Sequence, residues 1–127
     1  ACLVGSEMCI RDRAGGARWC IQTIIERFPE CRVFLCTPIQ SGSVSHNDLN
    51  LKKIAVLREI CNAFSVPVID CYSECGIKAE DEVWEERGRY LKDGLHPDVE
   101  GQQLMGQYIA KKIQDYLTVV LCSKSLL

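Results

Sequence analysis

The chain has 127 residues, 47% of them hydrophobic and 25% charged, with a formal net charge of −2. That balance excludes a disordered or fibrous segment and fits one soluble globular domain, large enough to bury a core without disulfides or metal. No Lys/Arg cluster is present to neutralise phosphates, and no apolar run approaches the length of a membrane span. Neither a nucleic-acid nor a membrane partner is therefore expected.

In chain order, Ala1 to about Arg13 shows no clean helical or strand period, and Gly15-Gly16 separates it from the rest of the chain. Gly5 to Arg13 looks like translated adapter sequence, so residues 1–16 are read as a non-native or disordered leader. A helix is predicted from Ala17, with Ala17, Ile21, Ile24 and Phe28 on one face and Pro29 as its stop. Val33-Phe34-Leu35-Cys36 then reads as a strand covered on both faces, closed by Thr37-Pro38.

Ser41 to Asp48 reads as a polar loop, and an Asn47 or Asp48 cap is expected to start a helix carrying Leu51, Ile54, Leu57, Cys61 and Phe64 as its stripe. Val66-Pro67-Val68-Ile69 is a second short apolar strand ending at Asp70, itself read as a cap. Cys71 to Lys92 is a long connection with one short helical piece around Asp81 to Arg87. The last helix is expected to start within Pro97–Glu100 and to present Leu104, Tyr108, Ile109, Ile113 and Leu117. Helix, strand, helix, strand, helix is the α/β pattern, with too few strands for a complete doubly wound sheet.

The nine cysteines are odd in number and irregularly spaced, which fits reduced thiols acting as small hydrophobes. The nearest approach to a paired metal motif is Cys71-x-x-x-Cys75, so neither a metal nor a cofactor is expected. A thiol or metal protein using Cys71, Cys75 and His96 is the third-ranked reading. Reduced cysteines lean toward the cytoplasm, although a signal peptide upstream would also be compatible, and the compartment is left open.

Chemistry points to Asp93 and His96, three residues apart at the end of the long connection, where a turn at Gly94 folds the carboxylate toward the imidazole. A serine hydroxyl becomes a competent nucleophile when an imidazole takes its proton, and that imidazole must be held in one tautomer. Trp84, Tyr90 and Leu91 are candidates to line an acyl or alcohol pocket, with packing over the last helix as the alternative. His46 reads as a solvated loop residue.

Asp93-Gly94-Leu95-His96-Pro97, with Gly101 beyond it in an amphipathic helix, resembles the last block of the SGNH (GDSL-like) serine hydrolases. Arg32 to Pro38 and Val66 to Asp70 are similar to two late strands of that family, so the resemblance covers about Ala17 to Leu117. It implies a three-layer α/β/α fold with a parallel sheet, of which residues 17–127 form the C-terminal part. It also implies hydrolysis of a small-molecule ester, such as an acetylated carbohydrate or a short-chain lipid ester, with His96 as base and Asp93 as acid. The family's Gly-Asp-Ser nucleophile block and its oxyanion blocks have no match at corresponding places. Gly5-Ser6-Glu7 is a superficial echo, and Asn47-Asp48 reads as a helix cap. The expectation is thus a hydrolase fragment that is nearly inactive alone, and the alternative is a non-enzymatic α/β interaction or scaffold domain.

Overall fold

The structure is a computed structural model that describes the backbone of residues 7–84 and 88–125, with side chains for 12–82 and 88–119. The elements run α1 (Glu7–Arg27), β1 (Leu35–Cys36), α2 (Val44–Ala63), β2 (Val68–Ile69), α3 (Cys71–Glu74), α4 (Ala79–Trp84) and α5 (Val99–Ser125). The described chain is mostly helical, and its two strands form one two-stranded parallel sheet. The expected three-layer α/β/α architecture is therefore incorrect: two strands of two residues each cannot form the middle layer that such a fold needs.

Only the second half of each apolar run read as a buried strand is extended into a strand. Leu35 donates its N–H to the Pro67 carbonyl at 3.0 Å, but pairing extends little further, and Cys36 is exposed where a covered strand was expected. A helix also runs across the expected leader boundary. α1 passes through Gly15 and Gly16, and the space where a Cβ would stand on either glycine is open within 4 Å. The glycine pair costs helix propensity without breaking the helix.

The residues divide into two compact units, Ala1–Pro38 with Val44–Val68, and Ile39–Ser43 with Ile69–Leu127. In the first unit α1 packs on α2 around buried Ile21, Ile60, Cys61 and Val66, with Ala17, Val33, Leu35, Val56, Phe64 and Val68 against them. Each large apolar side chain so buried is worth about 1.5–3 kcal/mol relative to exposure. The stripes differ from expectation at their edges: Ile24, Phe28 and Leu51 are exposed, and Ile60, outside the expected stripe, is buried. α2 starts at Val44, ahead of the expected cap, which places Asn47 inside the helix as a buried polar residue.

In the second unit the long connection holds two helices where one was expected. Asp70 caps α3, its Oδ1 accepting the Ser73 N–H at 3.1 Å. α3 packs on α5, where Tyr108 donates its hydroxyl proton to the Glu74 carboxylate and Lys112 stands 3.4 Å from that same carboxylate. Asp98 starts α5, its carboxylate accepting the Gly101 N–H at 2.9 Å. Cys61, Cys71 and Cys75 are buried, and burial pushes the thiols of Cys61 and Cys75 up, so both behave as small protonated hydrophobes; Cys20, Cys31 and Cys36 are exposed. Among the described residues no helix is long and apolar enough to cross a membrane.

Candidate functional site

Asp93 and His96 belong to the second unit and sit on a turn that the sequence encodes locally. Gly94 adopts φ +76°, and its N–H donates to the Leu91 carbonyl at 2.9 Å, closing the chain just behind Asp93. A left-handed backbone is easily reached by glycine and strained for residues with a Cβ. The reversal lets one carboxylate serve three donors. Asp93 Oδ1 accepts the N–H groups of Leu95 at 2.9 Å and His96 at 2.6 Å, while Oδ2 lies 2.6 Å from His96 Nδ1.

These bonds stabilise the ionised form, so the Asp93 carboxyl is held well below the usual carboxylate range. The His96 backbone N–H is the largest cause, followed by the His96 ring and then the Leu95 N–H. An ionised carboxylate only accepts, so the proton in the 2.6 Å contact belongs to Nδ1. In the neutral ring Nε2 is then the nitrogen without a proton. The pair faces solvent, with 75% of the His96 side chain and 55% of the Asp93 side chain accessible. Asp93 is the hydrogen-bond partner of His96 among the described residues.

Two features around this turn escaped the sequence reading. The first is Glu82, a buried acid on α4. Its Oε2 accepts the Leu91 N–H at 2.9 Å and its Oε1 the Tyr90 N–H at 3.0 Å. In sequence it is one of three consecutive acidic residues, Glu80, Asp81 and Glu82, and nothing distinguishes it from its solvated neighbours. The second is the loop Ser41-Gly42-Ser43, whose Gly42 N–H donates to the Gly94 carbonyl at 2.9 Å. Ser41 is buried, with its hydroxyl turned back on the Ser43 backbone.

Tyr90, expected to line a pocket or to pack over the last helix, is half-buried and tied to the start of α5. Its carbonyl accepts the Asp98 N–H at 2.7 Å, and the Arg89 guanidinium lies 5.1 Å from its ring centre. Leu91 is buried. The side chain of Trp84 and the whole of Ser6 lie outside the described residues. A small apolar cavity of about 70 Å³ is lined by Arg13, Ala14, Lys53, Val56 and Leu57, none of them an expected site residue. Among the described residues no group of three or more His, Cys, Asp or Glu is placed to hold a metal ion.

No family model and no curated protein matches the chain. One crystal structure is similar, with a TM-score of 0.68 and 26% sequence identity over 80% of this chain and 51% of that one. The chain thus spans about half the length of the solved structure it matches.

Proposed function

We propose that Asp93 and His96 are the acid–base pair of a serine ester hydrolase of the SGNH type, completed by a serine and oxyanion donors from other segments of the parent protein. The observation that supports this most is the 2.6 Å contact of His96 Nδ1 with a carboxylate that two backbone N–H groups already fix. The reading rests on this site, and the mostly helical fold contributes nothing to it. With Nδ1 protonated, His96 Nε2 takes the proton of the serine hydroxyl as its oxygen attacks the acyl carbon. His96 then returns that proton to the departing alcohol, and water cleaves the acyl-serine by the same route. The substrate class is a small ester, such as an acetylated carbohydrate or a short-chain lipid ester.

The exposure of the pair favours a second reading, an Asp-Gly turn on a non-enzymatic interaction domain. A fluorophosphonate probe separates the two. Applied to the protein encoded by the full gene, it should phosphonylate one serine with loss of fluoride, and His96→Ala should abolish the labelling. A parent protein that takes no label, or takes it equally without His96, excludes the hydrolase reading.

A further inference from the structure

Glu82 is a buried acid that the proposed reaction does not touch, and it holds the backbone from which the residues flanking the pair are bonded. Its two carboxyl oxygens take the consecutive N–H groups of Tyr90 and Leu91 at 2.9–3.3 Å. The carbonyls of those same two residues carry the next contacts: Leu91 accepts the Gly94 N–H at 2.9 Å, and Tyr90 accepts the Asp98 N–H at 2.7 Å. The Tyr90–Leu91 peptide, whose N–H Glu82 holds, also carries the carbonyl that takes the Asp98 N–H, and the adjoining Leu91–Lys92 peptide takes the Gly94 N–H, so the segment holding Asp93 and His96 is pinned on both sides at or next to the grip of Glu82. Opposite Glu82, Gly88 holds φ +59°, and a Cβ there would stand 2.6 Å from Glu82 Oε2 and 2.3 Å from the Leu91 carbonyl oxygen. On the Gly88 side the backbone lies close against this carboxyl group.

We infer that Glu82 is a positioning residue whose grip on the Tyr90 and Leu91 N–H groups sets the Leu91–Asp98 segment so that Asp93 can fix the His96 tautomer. Its consequence for catalysis rests on the hydrolase reading; its control of the turn does not. Glu82→Gln keeps the size of the side chain but sets an amide N–H against one of two backbone N–H donors, so one peptide must turn away. Glu82→Asp keeps both acceptors but withdraws them by one methylene.

The test is the tautomer of His96 in this chain, read from its imidazole ¹⁵N shifts with the ring neutral. Assignment is simple because the chain holds two histidines, His46 and His96. Wild type should be protonated at Nδ1, and Asp93→Ala should move the proton toward Nε2. Glu82→Gln should shift in the Asp93→Ala direction and Glu82→Asp part of the way. Glu74→Gln, which loosens α3 from α5 elsewhere in the unit, should stay at the wild-type position. Wild-type shifts in Glu82→Gln overturn the inference, as does an equal displacement by Glu74→Gln. If Glu82→Gln does not fold, an undisplaced Glu82→Asp overturns it instead. A displaced tautomer in Glu82→Gln beside a parent protein that turns over no ester leaves the role of Glu82 standing and removes the hydrolase reading alone.

Discussion

Gly88 and Gly94 both hold left-handed φ angles, +59° and +76°, yet alanine should cost very different amounts at the two positions. At Gly94 the space around a new Cβ is open within 4 Å, so the cost is backbone strain alone, about 1–2 kcal/mol. At Gly88 the same strain is joined by overlap with the Leu91 carbonyl oxygen at 2.3 Å and with Glu82 Oε2 at 2.6 Å. Relieving it displaces an acceptor of the Gly94 N–H and the grip of Glu82 on two peptides. With each of the three disrupted hydrogen bonds worth about 1 kcal/mol, Gly88→Ala should cost about 4–5 kcal/mol. Both glycines lie in the second unit, so urea unfolding monitored by circular dichroism reads the same transition for each. Equal midpoints for the two variants would refute the reasoning, because they would mean that the close packing around Gly88 carries no energy.

Gly15→Ala and Gly16→Ala should each stabilise α1 by about 0.5–1 kcal/mol, since nothing obstructs a Cβ at either position; lowered helicity by circular dichroism would contradict this. Burial first, and then the hydrogen bond to Glu74, push the Tyr108 phenol above its ordinary range. The stability that this raised value represents is present below the ordinary phenol range and falls as pH rises through and beyond it, and Glu74→Gln should bring Tyr108 only part of the way back in an ultraviolet titration. For Asp93 the sign is opposite: its depressed value contributes stability above the ordinary carboxylate range, lost as pH falls below it. His96→Ala should restore the Asp93 titration, tracked by its side-chain ¹³C shift, only in part, because the largest cause is a backbone N–H that alanine keeps.

The Asp93–His96 turn was legible because everything that makes it is local: an acceptor, a glycine for the reversal and an imidazole three residues on. The fold class was not. Val33–Cys36 and Val66–Ile69 have the composition of buried strands, but a strand is completed by the neighbours it pairs with, and each of these runs finds only the other among the described residues. The start of α1 was misplaced because Gly15-Gly16 is a turn signal only where the chain gains by turning, and here the helix runs on through it. Asn47 has the chemistry of a cap, yet α2 begins at Val44 and buries it. Glu82 was invisible for a different reason: its role depends on residues eight and nine positions ahead folding back over it, and one acidic residue among three carries no mark of that.

The central claim is that Asp93 holds His96 as a base for a serine. Hydrolysis of p-nitrophenyl acetate by the protein encoded by the full gene, wild type against His96→Ala, tests it most directly. A fall in kcat of about a thousandfold or more, with KM little changed, is the predicted result; unchanged turnover would contradict it.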